Sequence, residues 1–425
     1  MALGHIGQTN AAASEMRTVL NLQEHLLGGS HRNVASIRAS LGALLLQQGN
    51  LAEAEDQLQQ ALSILSESDG DRRDVRHDLV AVLHARGKLR ESIVQLREIT
   101  EEELHRSGPA HIDTITSHNS LGVALKDFGK LEEAEEVYRK ALRYAASKHS
   151  DDQPLILTLR HNLAVVLRIQ GNLDEAEKEN SAILAIQERR IGLENPQAFA
   201  TRLSLARILD DKGATNEAEA AYRSLLTECA RSMGPNHPQT LSIWGNLGFL
   251  LSDQGRLTEA ETEYREALKG CLKTLGDDHP DTLTMNHNLA MTLGNQGKIA
   301  EAVNRFRDVV ERRTRILGSD HSETLLARKN FGEALSRTQQ PGESAEQFKE
   351  VAEGWAHTRG ADHDSVWDLR YRRAQLLWEA GQPRAAQSEL EALLDLAQKA
   401  GLEGDRRITA LQRVLMAVRA DDGDS

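Results

Sequence analysis

The sequence predicts an all-α fold, a solenoid of about nine and a half stacked helix hairpins, on three observations. One is a unit of 42 residues that returns along nearly the whole chain. "MGPNHPQTLSIWGNLGFLLSDQGRLTEA" from Met233 is followed 42 residues later by "LGDDHPDTLTMNHNLAMTLGNQGKIAEA" from Leu275. Another is composition: aromatic residues make up 4% of the chain, there are eight prolines, and Ala, Leu, Glu, Arg and Gln abound. That is helix-forming material with too few Val, Ile and aromatic side chains for a large sheet. The third is the spacing of apolar residues, which follows a period near 3.6 inside each unit.

The repeat is countable by column. A glycine recurs as Gly7, Gly49, Gly87, Gly129, Gly171, Gly213, Gly255, Gly297 and Gly381. Steps are 42 residues apart from one of 38 after Gly49 and one double step past Gln339. Five residues beyond it stands a small residue, such as Ala260 or Ala302, and four later a bulky one, such as Tyr222, Tyr264, Phe306 or Phe348. Eight before it stands Leu121, Leu163, Leu205, Leu247, Leu289 or Phe331.

Each unit reads as two helices. In one unit the first runs from about Pro280 to Gln296, with Leu283, Leu289, Ala290 and Leu293 on one face. Gly297 supplies the backbone freedom of a tight turn. The second runs from about Ile299 to Leu317, burying Ala302, Phe306 and Val309. A small residue at Ala302 lets the two axes approach, and Phe306 fills the groove above it. One hairpin cannot bury both faces alone, so neighbours stack into a quasi-one-dimensional array.

At "WGNLGFLL" (Trp244 to Leu251), with Ala260 and Tyr264, the spelling resembles the tetratricopeptide repeat, W-x2-L-G followed by A-x3-F/Y. The period is longer than that repeat's 34 residues, and is similar to the long repeats of kinesin light chains and of related bacterial and fungal arrays. The resemblance implies a right-handed superhelix whose first helices line a concave face. It further implies that an asparagine just before the first-helix leucine holds a ligand's backbone. That position is Asn162, Asn246, Asn288 and Asn330 here; Ser40, Ser120 and Ser204 occupy it elsewhere, and Asp78 and Arg372 depart from it. An amide suits the task because it offers donor and acceptor together. Bridging between neighbouring helices is the competing role for the same residues. His161, His287, Lys126, Arg168, Lys329 and Arg337 belong to the same expected face, which favours a ligand with acidic residues.

The histidine beside the proline recurs as His31, His111, His237, His279, His321 and His363, with Asp69, Gln153 and Asn195 in other copies. Equivalent points in adjacent repeats lie at least roughly 8–10 Å apart, whereas zinc ligands converge within about 2 Å of the metal. The column therefore predicts helix N-termini, not a metal site: Pro280 and its counterparts at the first helical position, and the column residue, Asp278, Asp320 or Asn236 as cap.

Net charge is −13, which argues against nucleic acid and anionic lipid as partners. No stretch approaches the apolar length of a membrane span, and no basic segment leads a hydrophobic core at the start. Cys229 and Cys271 fall in one column and read as packing residues in a reducing, cytoplasmic setting. Phosphate-loop, nucleophile-elbow and metalloprotease spacings are missing, so no cofactor and no catalysis is expected.

By domain, residues 1–26 read as an incomplete repeat, 27–404 as the tandem array, 405–419 as a capping helix and 420–425 as an acidic disordered tail. The incomplete first repeat suggests either a piece of a longer protein or self-association, a second copy covering the open face. The expected function is a non-catalytic scaffold that binds a protein or extended peptide along the concave face. The alternatives are a sensor arm of a nucleotide-binding switch ATPase and an enzyme on a helical-repeat scaffold.

Overall fold

The computed structural model of the chain describes residues 2–66, 69–192, 195–360, 363–399 and 406–423. Every regular element among them is an α-helix. The chain forms two compact units, Met1–Ala218 and Glu219–Ser425. The first holds α1 (Ala2–Leu27), α2 (Arg32–Gln47), α3 (Leu51–Ile64), α4 (Arg72–Ala85), α5 (Leu89–Ser107), α6 (Ile112–Asp127), α7 (Leu131–Ala145), α8 (Pro154–Ile169), α9 (Leu173–Ile191) and α10 (Pro196–Asp211). The division falls within α11 (Thr215–Met233). The second unit continues with α12 (Pro238–Asp253), α13 (Leu257–Thr274), α14 (Pro280–Asn295), α15 (Ile299–Leu317), α16 (Ser322–Ser336), α17 (Pro341–Arg359), α18 (Asp364–Glu379), α19 (Pro383–Lys399) and α20 (Arg406–Gly423).

The α14–α15 hairpin shows how sequence becomes structure. The Asp281 N–H donates to His279 Nδ1 at 3.2 Å, and Pro280 fills the first helical position, where a missing N–H costs nothing. The helix ends at Gly297, whose φ of +83° suits glycine alone. There the Lys298 N–H reaches back to the Leu293 carbonyl at 2.9 Å, closing the last turn. Leu283, Leu289, Ala290 and Leu293 then face Ala302, Phe306 and Val309 in the interior, all buried. His31, His111, His237, His321, His363 and Asn195 cap their helices in the same way. Asp278 is not a cap; it takes ion pairs from Arg312 and Arg315. Gln153 caps without a side-chain bond, and Asp69 instead accepts the Ser66 N–H at 2.8 Å.

Close approach within hairpins depends on a second glycine column, in the first helix. A Cβ at Gly122 would meet Tyr138 Cζ at 2.5 Å, and one at Gly42 would meet Leu58 Cγ at 2.6 Å. Gly248 faces the Tyr264 ring and Gly332 the Phe348 ring at 3.0 Å. The bulky second-helix residue thus seats on a bare stretch of first-helix backbone.

Both ends differ from the sequence reading. α1 runs unbroken through Gly7, where the repeat predicts a turn. Glycine permits a turn without compelling one, and Gly7 is not among the glycines of positive φ. At the other end α20 continues to Gly423, so Ala420 to Asp422 are helical and not tail. No glycine or proline interrupts that stretch before Gly423. Asp405, Asp424 and Ser425 lie outside the described residues.

Candidate functional site

In the second unit the exposed side of each first helix carries residues at i, i+4, i+7 and i+11, one stripe of a helical surface. On α12 these are Ser242, Asn246, Phe249 and Asp253; on α14, Thr284, Asn288, Met291 and Asn295; on α16, Leu326, Asn330 and Glu333, with Arg337 as its C-cap. The asparagines are therefore side by side with three apolar side chains left in water: Phe249 is 61% exposed, Leu326 47% and Met291 39%. Sequence reasoning missed these three. For Phe249 and Met291 the signal was an apolar residue six before the turn glycine, out of phase with the buried columns; Leu326 lies seven residues earlier in its unit, on the same stripe.

The asparagines fall into two groups. Asn330 Nδ2 lies 3.1 Å from His287 Nε2, one repeat back, and Asn162 Nδ2 donates to Asn119 Oδ1 at 2.8 Å. Asn246 Nδ2 instead donates to the Ser242 carbonyl of its own helix at 2.6 Å. Among the described residues the Asn288 side chain makes no hydrogen bond; only its carbonyl is engaged, by Thr292. The position one repeat back explains the difference. It is Asn119 for Asn162 and His287 for Asn330, but Leu203 for Asn246 and Gly245 for Asn288, neither of which offers a polar side-chain atom. At Gly245 the Met285 methyl occupies the space, 2.5 Å from where a Cβ would stand.

His287 is an interior residue. It is 7% exposed and packs edge-on to Phe306 at 5.4 Å. Burial, with Arg313 beside it, pushes its imidazole down to about 4. Arg313, itself buried, is held by the Glu323 carboxylate at 2.9 Å, the Glu323 carbonyl at 3.0 Å and Thr284 Oγ1 at 3.2 Å. Burial likewise lowers His161, with Asn180 opposing the shift.

The basic residues are mostly engaged. Arg168 pairs with Asp211 at 2.6 Å and Lys126 with Asp127 at 2.9 Å, while His84 Nε2 approaches the same Asp127 at 3.0 Å. Arg337 donates to the Gly294 carbonyl at 3.0 Å, and Lys329 Nζ sits 6.0 Å from the centre of the Trp355 ring. Cys229 and Cys271 are buried, and burial pushes the Cys271 thiol up to about 11. Among the described residues no three His, Cys, Asp or Glu side chains are grouped to hold a metal ion. No helix there is long and apolar enough to cross a membrane.

Stacked hairpins, histidine caps, glycine turns and, in four hairpins, a glycine under the bulky second-helix residue define a class of helical-repeat interaction scaffolds. The family described as tetratricopeptide repeat matches residues 211–270, 239–314 and 281–355, and the MalT-like TPR region matches 32–226. The chain belongs to the tetratricopeptide repeat proteins. No curated protein matches it.

Three solved structures of similar fold illustrate the range. A kinesin light chain-like protein of Podosopora anserina with nearly identical TPR-like repeats is 23% identical, over 49% of this chain and 98% of its own, with a TM-score of 0.38. A Rap protein complexed with competence and sporulation factor is 13% identical, over 80% of this chain and 99% of its own, at 0.50. A signal transduction ATPase with numerous domains from Pyrococcus horikoshii, bearing a tetratricopeptide repeat sensor, is 15% identical, over 88% of this chain and 54% of its own, at 0.50.

Proposed function

We propose that the chain is a non-catalytic scaffold, and that the first-helix face of its second unit binds an extended segment of a partner protein. The observation that carries this reading is the exposure of Phe249 and Met291 on successive first helices, in the same stripe as Asn246 and Asn288. Apolar side chains of the ligand would cover Phe249 and Met291, each contact removing apolar surface from water. The two amides would meet ligand backbone groups, which a ligand of any sequence presents. Asn162 and Asn330 act instead as struts between repeats. Lys126 and Arg168 are matched by Asp127 and Asp211, so binding leans on apolar and amide contacts before charge.

Peptides selected from a random display library against the full chain test the reading. The selected peptides should carry apolar residues, and their affinity should fall at least roughly tenfold for Phe249→Ala/Met291→Ala, the loss of a central apolar anchor. Melting should fall only slightly, since Phe249 is mostly exposed and Met291 partly so. Equal affinity for the double variant would show that this face is not the ligand site.

A further inference from the structure

We propose a second docking site, on the second-helix side of the second unit, for an acidic amphipathic helix of a partner protein. A groove of about 580 Å³ opens between α13 and α15, floored by Leu268 and Leu272, with the fully buried Leu289 of α14 beneath them. Leu272 is 44% exposed, an apolar side chain facing water on a surface where its neighbours are charged. Beside the two α13 leucines, at the same four-residue spacing, stand Lys269 and Lys273. The nearest carboxylate to Lys269 is Glu266 at 3.9 Å, and Lys273 enters no ion pair among the described residues. Arg265 and Arg305 close the groove while sharing Glu301 at 3.2 Å each. Glu266 also lines the groove and Glu261 pairs with Arg265 at 2.7 Å, so the cationic character of the rim rests on Lys269 and Lys273.

The chemistry of the occupant follows from that geometry. Two parallel rows at i and i+4, one apolar and one cationic, complement a helix carrying an apolar row beside an acidic row. The channel between two neighbouring helices takes the ridge of a third. The first unit supplies an internal contrast. Three repeats earlier the same columns line a groove of about 340 Å³, where Ala146 replaces Leu272 and Glu179 replaces Arg305. Glu179 there pairs with Arg160 at 2.7 Å. Floor and cationic character are both reduced, so the site belongs to the second unit.

The test uses the full chain and a synthetic helix with leucines at i, i+4 and i+7 flanked by glutamates, followed by fluorescence anisotropy. The expected result is saturable binding that weakens with added salt. Lys269→Glu/Lys273→Glu should lower affinity roughly tenfold or more, as charge reversal at a complementary rim does. Leu272→Ser should weaken it too, and Arg143→Glu in the first unit should leave it intact. Asn246→Ala/Asn288→Ala should also leave it intact, which separates this site from the first-helix face. The proposal is overturned if the charge-reversed variant binds as tightly, or if a peptide with lysines for glutamates binds equally well. It is overturned too if phosphatidylserine vesicles are captured and the peptide is not. Concentration-dependent self-association abolished by the same charge reversal would assign the groove to a second copy of the chain and overturn the partner.

Discussion

Asn330 holds His287 across a repeat boundary, amide nitrogen to Nε2 at 3.1 Å, over a ring that Phe306 covers edge-on at 5.4 Å. Breaking that pair leaves a buried ring nitrogen without its partner. Asn330→Ala should therefore destabilise the second unit by about 1–3 kcal/mol, whereas Asn288→Ala should cost less than about 0.5 kcal/mol. Chemical denaturation of the two variants side by side checks the contrast; equal losses would show that the bridge contributes nothing particular.

The same histidine makes stability depend on pH. Its folded value, about 4, lies below the ordinary imidazole value of about 6.5, because burial and the facing Arg313 disfavour the cation. The unfolded chain therefore binds the proton more readily between those values. Stability should be complete above about pH 6.5 and fall as pH drops toward 4, by about 1.4 kcal/mol per unit at most. His118 and His161, also lowered mainly by burial, add in the same direction. Melting followed from pH 7.5 to 5 should show the decline, shallower in His287→Asn; an unaltered slope in that variant would remove His287 from the account.

Gly122 and Gly245 forecast different costs for one added methyl. At Gly122 the new carbon meets the Tyr138 ring at 2.5 Å, in a residue with no exposed surface to move into. Overpacking of that kind costs about 1–3 kcal/mol, against the ~1 kcal/mol that alanine gains over glycine in a helix. At Gly245 the obstacle is the tip of Met285, a flexible side chain that can turn aside. Gly122→Ala should lower the melting temperature and Gly245→Ala should leave it level or raise it.

Replacing His279 tests the cap. His279→Ala removes the acceptor for the Asp281 N–H and should cost about 0.5–2 kcal/mol, while His279→Asn should restore most of it. Asn195 already does this at the start of α10. Hydrogen exchange at the first turn of α14 reads the effect locally; faster exchange in the asparagine variant than in the alanine variant would refute it.

Much of the architecture was legible in the residues alone, because it is written in a fixed period and obeys local rules. Helix starts lie at His279 and Pro280, turns at Gly297, and the buried stripe at Leu289, Ala302 and Phe306; each depends on residues within a few positions of itself. The ends were less legible, since Gly7 and Ala420 to Asp422 carry signals that allow a break without requiring one. The candidate site was the least legible. Asn162, Asn246, Asn288 and Asn330 are one residue type in one column, yet Asn162 and Asn330 bridge to a side chain one repeat back while Asn246 bonds to the carbonyl of Ser242 in its own helix. Lys126 and Arg168 read as free cations until Asp127 and Asp211 are found beside them. Phe249, Met291 and Leu326 read as ordinary helix residues until their exposure is seen. A helix's start, stop and buried face are set by near neighbours in the chain; which polar groups are already satisfied, and which apolar ones remain in water, is set by neighbours about one repeat away, and only the packed structure brings those into contact.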